Sequence, residues 1–364
     1  MKEIPLLRYY QSNYPSAEVG EFAGWRTIIA FTSLREEHKA VRESSGIFDI
    51  SHMTRTKIAG SSSTTLLQKI LTIDVERLKP GRMKYGLMLN EDAGIIDDVT
   101  VFKLQEDSYV MVSNAVSRER VLDWVAQHAG PDVYVEDFTE RSAFFAVQGP
   151  RASDHVSRVF GRDFSGLKWF AGGVFEFGGC QVLLTRSGYT GGDGYELMIP
   201  CGGTVLYSSF WRMFVDGGVK PCGLACRDAC RLEAGYLLAH QDFDEAKTPV
   251  EAGLMWAVNL EKKDFVGKKK LEEKLRAKPS STIAILEAME PGVPRAGYPI
   301  LDSSGKRVGI VTSGGYIPSV GKGLALGEIP AELHTEGTVL YILVRNAAKK
   351  VVVRKQPLFK PVKA

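Results

Sequence analysis

The chain has 364 residues, 44% apolar and 24% charged, with a net charge of +3. That length exceeds a single hydrophobic core, which rarely grows past about 250–300 residues, so two or three packed units are expected. The charge is too small to argue for nucleic acid or a membrane surface, and the apolar runs are too short and too broken by charge for a membrane-spanning helix.

The opening "MKEIPLLRYYQSNYPS" has no apolar stretch followed by a small-residue cleavage site, and it is not an Arg-rich, acid-free presequence. It reads as a cytoplasmic or matrix-like protein. "TSLREEHKAVRESSGIFDI" reads as a helix ending at Gly46, a residue free to take positive φ. "HMTRTKIAG" alternates like a strand, and "SSSTTLLQKIL" begins with hydroxyl residues able to cap a helix. "MKYGLMLN" and "DDVTVFKL" flank "EDAG", a hairpin turn. "SYVMVSN" is another strand, and "SRERVLDWVAQHA" is an amphipathic helix stopped by Gly130-Pro131. "ERSAFFAVQGPRASDHVSRVF" reads as strand, turn and helix, and "GVFEFGGCQVLLTRSGYTGGDGYELMIP" as strands with glycine turns. "CRDACRLEAGYLLAH" is a helix. At Arg276–Ser281 the composition shifts to a linker, and only β patterns follow. The expected division is a mixed region over 1–276 and a mostly β domain over 282–364.

The five cysteines are Cys180, Cys201, Cys222, Cys226 and Cys230. An odd count without a C-x-x-C pair argues against a disulfide framework and against a zinc ribbon. Cys226 and Cys230 share a helix face and read as small buried residues. The glycine clusters "TGGDG" and "TSGGY" fit neither a dinucleotide fingerprint nor a phosphate loop.

Strand alternation carries the chemical argument. In "YTGGDGYELMIP" it sets Glu196 and Met198 opposite Tyr195, Leu197 and Ile199. Glu196 is then either an exposed edge-strand residue or an acceptor for two parallel N–H bonds from a guanidine-like edge. In "IIDDVTVF" it sets Asp97, Val99 and Val101 on one face and Asp98, Thr100 and Phe102 on the other. The aspartates point apart, which disfavours a paired-carboxylate mechanism, and no further ligand at metal spacing accompanies them. Asp98 is either a solvated hairpin residue or a lone carboxylate in a mixed pocket, placed to stabilise a cation or take a proton. Arg227 and Arg231 lie one helical turn apart. They form surface pairs with Asp228 and Glu233, or they present two guanidiniums to an acidic ligand. His52, in "SHM", reads as a packed, hydrogen-bonded residue, and without "GxSxG" no Ser-His-Asp site is assembled.

These stretches also fall in the order of a known family. They are "EFAGW" (21–25), "EEHKAVRESSGIFDISHM" (36–53), "LNEDAGIIDDVTVFK" (89–103), "AVQGP" (146–150) and "SGYTGGDGYE" (187–196). "PCGLACRDACRLEAGYLL" (221–238), "TPVEAGLMW" (248–256), "DFVGKKKL" (264–271) and "VGIVTSGGYIPSVGKGLALG" (308–327) complete them. Over nearly its whole length the chain resembles the T-protein family of the glycine cleavage system, tetrahydrofolate-dependent aminomethyltransferases. The resemblance implies an α+β fold, a three-domain cloverleaf around a central folate pocket with a C-terminal β-barrel. It implies transfer of a one-carbon unit from the aminomethyl-lipoyl arm of H-protein to tetrahydrofolate, with release of ammonia and formation of 5,10-methylenetetrahydrofolate. Tetrahydrofolate is the co-substrate, and no metal, nucleic acid or membrane is expected.

By position, Asp98 matches the carboxylate beside the iminium cation, Glu196 the pterin-reading glutamate and Arg227 a folate-binding arginine. Met53, Tyr85, Val112, Asn114 and Tyr189 match pocket-lining residues. The alternative for Asn114 is a helix cap before Ser117. Phe102 stands where a tyrosine is familiar, so stacking is expected to survive without a hydroxyl contact. Ala239-His240 replace the usual Tyr-Gly, which leaves the pocket shape there open, and the tail "PLFKPVKA" lacks the terminal tyrosines of many members. The rivals are a folate-dependent demethylase of the same fold and a non-catalytic folate-binding protein. The cysteine motif of the related iron–sulfur assembly factor is absent, as is the dinucleotide domain of the flavin-linked oxidases.

Overall fold

Strands whose side chains alternate between two apolar sets need cover on both faces, and two central sheets here receive it. The structure, a computed structural model, describes residues 1–360. One sheet has five strands in the order Met83–Leu89, Ile95–Gln105, Ser108–Ser113, Thr54–Ala59 and Tyr134–Asp137. Its outer face buries Val99, Val101, Tyr109 and Met111 with residues of the helices Ser63–Ile70 and Arg118–His128. The other has six strands in the order Gly172–Phe177, Cys180–Thr185, Gly194–Ile199, Ala143–Gln148, Gly46–Asp49 and Lys220–Cys222. Its outer face gives Phe145, Val147, Tyr195 and Leu197 to a core shared with the helices Leu7–Asn13 and Gly203–Asp216.

The remaining faces of the two sheets meet. Met83, Phe102 and Val110 of the first pack with Phe48, Phe144, Ala146, Leu183 and Met198 of the second, and Cys222, Cys226 and Cys230 complete the cluster. Alternation in two distant stretches of sequence thus converges on one shared floor.

A closed barrel follows, in the order Ser281–Ala288, Lys322–Pro330, Arg307–Ile317, Pro299–Leu301, Val339–Val344 and Ala347–Arg354. It docks on the helix Leu224–Glu233, where Ala229 and Leu232 pack with Ile317, Leu324 and Leu326. The α+β architecture with a C-terminal barrel agrees with the sequence reading. Among the described residues no helix is long and apolar enough to cross a membrane.

Three local readings change. Gly46 opens a strand, and the helix before it is Leu34–Glu43. The glycine is required by packing, since a Cβ there would lie 2.5 Å from Cys222 Sγ and 2.7 Å from a Val41 methyl. The helix around Arg227 stops at Glu233, with Gly235 in the left-handed region shortly after. Cys180 and Cys201 form a disulfide, with Cα atoms 6.0 Å apart. They sit where the antiparallel register of Leu183 with Met198, continued outward, brings them face to face. The other three thiols are buried and free.

Candidate active site

The first wall of the site is the strand Ile95–Gln105. Its register slips at Ile96, because Leu89 pairs with Ile95 while Met88 pairs with Asp97. The unpaired Ile96 resets which residues face outward just before the two aspartates. Asp97 is then 0% exposed, and Asp98 is half-buried on the face of Thr100 and Phe102. The two carboxylates are nevertheless joined. Asn114 Nδ2 donates to Asp97 Oδ1 at 2.8 Å and to Asp98 Oδ1 at 2.7 Å. The Asn114 backbone N–H donates to Asp97 Oδ2 at 2.8 Å, and Ser117 Oγ to Asp97 Oδ1 at 2.9 Å. Strand alternation separates the side chains as expected, but the expectation that the aspartates act apart does not hold. Asn114 lies just beyond the neighbouring strand and reaches both. It does not cap the following helix, whose cap position is Ser117 and lacks a side-chain cap bond.

Tyr85 is the cross-strand neighbour of Thr100, and its hydroxyl lies beside Asp98. Burial and then the Asp98 charge push the Tyr85 hydroxyl well above its ordinary pKa. Burial raises Asp98, with hydrogen bonds from Tyr85 and Asn114 acting against it. Burial, then the Asp98 charge, lift Asp97 to about 8.

The second wall comes from the six-stranded sheet and the helix Leu224–Glu233. Glu196 sits between Ala146 and Thr185 in register, so it lies within the sheet rather than on an exposed edge. Its Oε2 accepts from Ser187 Oγ at 2.5 Å. Burial raises its pKa, and the Ser187 bond and the Arg227 charge pull it back. Arg227 is half-buried, with its guanidinium 4.9 Å from the centre of the Tyr189 ring. Its Nη1 is buried and has no hydrogen-bond partner. Tyr189 donates its hydroxyl to the Leu237 carbonyl and stacks on Tyr236 at 5.7 Å.

The reading of Arg227 and Arg231 as a matched pair fails. Arg231 is fully engaged with Asp228 at 2.8 Å, Asp242 at 2.9 Å, the Tyr236 carbonyl at 3.0 Å and Ser313 at 2.9 Å. Glu233 is no surface partner either. It is buried and binds His38 at 3.0 Å, Arg42 at 2.6 Å and Ser319.

Met53, Phe102 and Val112 belong to the apolar floor between the walls. His52 is packed, as expected, with Phe22 edge-on at 5.4 Å, but its Nδ1 is buried without a partner. Burial, then the charges of Arg227 and Arg55, hold its pKa down to about 3, so the ring is neutral. Trp256 escaped the sequence reading. It is 71% exposed and stacks on Tyr85 at 5.0 Å with an interplanar angle of 13°. The signal available was the end of "TPVEAGLMW", where nothing local distinguishes an exposed tryptophan from a buried one. Ala239 is buried, and exposed His240 holds a left-handed φ of 59° with its N–H on the Phe243 carbonyl.

Glu37, Cys222 and Cys226 bring donor atoms close enough to hold a metal ion. The Glu37 carboxylate, however, already accepts the backbone N–H groups of Phe31, Thr32 and Gly223. A surface cleft of about 500 Å³ lies away from the two walls. Its Lys262 donates to the carbonyls of Gln68, Leu71 and Ile73.

Two facing sheets with a half-buried carboxylate on each, an unpartnered guanidinium between them and a barrel docked alongside define a class of α+β proteins with a polar binding pocket over an apolar floor. The comparisons make the class specific. Residues 9–262 match the GCVT N-terminal domain family, and residues 282–360 match the glycine cleavage T-protein C-terminal barrel domain. The aminomethyltransferase of Geobacillus thermodenitrificans is 36% identical over 368 residues, covering 100% of each chain. That of Bacillus subtilis is 36% identical over 366 residues, covering 99% of each. The crystal structure of glycine cleavage system aminomethyltransferase T from Bartonella henselae superposes with a TM-score of 0.92 at 32% identity, covering 99% of this chain and 98% of that one. The chain belongs to the glycine cleavage T-protein family of aminomethyltransferases.

Proposed function

We propose that this chain moves the one-carbon unit of an aminomethyl group, carried on the lipoyl arm of H-protein, to tetrahydrofolate in the cytoplasm. The carrying observation is the Asp98 carboxylate, held by Asn114 at 2.7 Å in a half-buried wall with no cation bound to it. Breaking the carbon–sulfur bond leaves a thiolate and an iminium cation. One folate nitrogen attacks that carbon, ammonia leaves, and the second nitrogen closes the ring. The two folate N–H protons end on ammonia and sulfur.

Asp98 is the preorganised charge for the iminium, since a fixed carboxylate needs no reorganisation when the cation forms. Glu196 accepts the adjacent N–H and amino group of the pterin edge. Arg227 binds folate as well, and its free Nη1 gives it a donor to offer. Tyr85, Tyr189, Met53, Val112 and Phe102 enclose the ligand. Asn114, whose Nδ2 is engaged by both aspartates, has its amide oxygen to present. Trp256 extends the Tyr85 stack toward solvent, where the folate tail or the lipoyl arm enters.

The test is ammonia release from aminomethylated H-protein with and without tetrahydrofolate. Strong folate-dependent release is expected. A protein that binds folate yet releases no ammonia is not an aminomethyltransferase, and methylated sulfur and nitrogen compounds are then the substrates to screen.

A further inference from the structure

One amide nitrogen serves two acids in this site. The two N–H groups of Asn114 Nδ2 lie in a fixed plane, and the Asp97 and Asp98 carboxylates each accept from that nitrogen, at 2.8 and 2.7 Å. Whatever fixes Asp97 therefore fixes which way the amide faces, and with it where the Asp98 oxygen rests. Asp97 is itself fixed by two more donors, the Asn114 backbone N–H at 2.8 Å and Ser117 Oγ at 2.9 Å.

No cation binds the pair. The arginines of the helix Arg118–His128 turn elsewhere, Arg118 to Asp137 and Glu140 and Arg120 to Glu245. From the strand Met83–Leu89 the Tyr85 hydroxyl faces Asp98, and from the loop after Cys180–Thr185 Tyr189 faces it. Beyond Tyr189 stand Arg227, Arg231 and Asp242, with Arg231 and Asp242 bound to each other at 2.9 Å.

We propose that Asp97 is a positioning residue acting through Asn114 on Asp98, and that the two carboxylates titrate as one unit that carries a single negative charge near neutral pH. The inference rests on the aminomethyl-transfer reading of the same pocket. Two acids sharing one donor, without a counter-cation and away from water, do not both ionise cheaply. Burial and the neighbouring charge, which raise Asp97 to about 8, act in the same sense. A single shared charge suffices to face a cationic intermediate and avoids the cost of two buried anions. The competing account makes Asp97 a plain structural anchor, ionised throughout and independent of Asp98.

Carboxyl NMR titration of the whole chain, labelled at aspartate and free of substrate, separates the two. The native protein is expected to show two coupled steps for the pair, the upper near pH 8. Asp97→Asn and Asp98→Asn each leave one step, at least about one pH unit below the native upper step. If Asp97→Asn does not fold, Asp98→Asn carries the same test. Ser117→Ala removes one hydrogen bond and no charge, so it retains both steps. In turnover, Asp97→Asn lowers kcat about tenfold while the folate Kd stays within about threefold, because it acts on Asp98 and not on folate. An upper step that survives either aspartate replacement, or that Ser117→Ala also abolishes, overturns the proposal. A native protein that releases no ammonia overturns the transfer reading instead, and the titration still reports on the pair.

Discussion

The two walls of the pocket handle buried polarity in opposite ways. On the aspartate wall the acids are held on several sides: Asp97 has three donors, and Asp98 has Asn114 and Tyr85. On the facing wall, Arg227 Nη1 is left without a partner, as is Nδ1 of the nearby His52. Buried groups are normally paired, so each orphan is a cost the free protein carries. The difference separates two tasks. Chemistry needs a charge whose position is set before the cation forms, whereas recognition needs groups that only the ligand completes.

Asp98→Asn breaks the first wall and has the largest expected effect. The side chain keeps its size and an acceptor for Asn114 but loses the charge. Ammonia release is expected to fall about 10²- to 10³-fold, as for other preorganised transition-state groups, with the folate Kd within about threefold. Equilibrium folate binding beside single-turnover ammonia release checks this. If binding falls as far as turnover, Asp98 anchors the ligand and the contrast between the walls collapses.

Glu196→Ala breaks the second wall. It removes a charged acceptor, so folate binding is expected to weaken about 10- to 100-fold, in line with about 1.5–3 kcal/mol for a hydrogen bond to a charged group. The rate at saturating folate is expected to change little. Calorimetric titration reads the affinity directly, and an unchanged Kd removes Glu196 from the ligand site.

Much of this division was legible in the sequence because β side chains alternate strictly. Period two alone placed Asp98 with Thr100 and Phe102, and Glu196 with Met198, and both assignments match the cores into which their neighbours pack. What alternation does not carry is the third dimension. The Asn114 bridge depends on a side chain from the next strand's end, reaching both sides of a slipped register at Ile96. Glu233 looked like a surface acid because its partners, His38, Arg42 and Ser319, are far away along the chain. Arg227 and Arg231 are identical in type and one turn apart. Only the packing of the 236–242 segment and of Ser313 gives one of them its partners. The Cys180–Cys201 bond was in principle readable, since the hairpin register that pairs Leu183 with Met198 also pairs these two.

Arg227→Met sharpens the comparison with the smallest effect and an unusual sign. A buried donor without an acceptor costs about 1–3 kcal/mol, and methionine supplies similar length without the polar atoms. The ligand-free protein is therefore expected to become more stable by about 1 kcal/mol, measured as a small rise in Tm. Glu196 at the same time loses the one nearby charge that pulls its pKa down, while its burial remains. Its carboxyl then holds its proton to higher pH, so folate binding that needs the anion shifts to higher pH in the variant. A fall in ligand-free Tm would show that Arg227 supports the fold as Arg231 does. A rise, with weaker folate binding displaced toward alkaline pH, identifies the unpartnered guanidinium as instability retained for recognition.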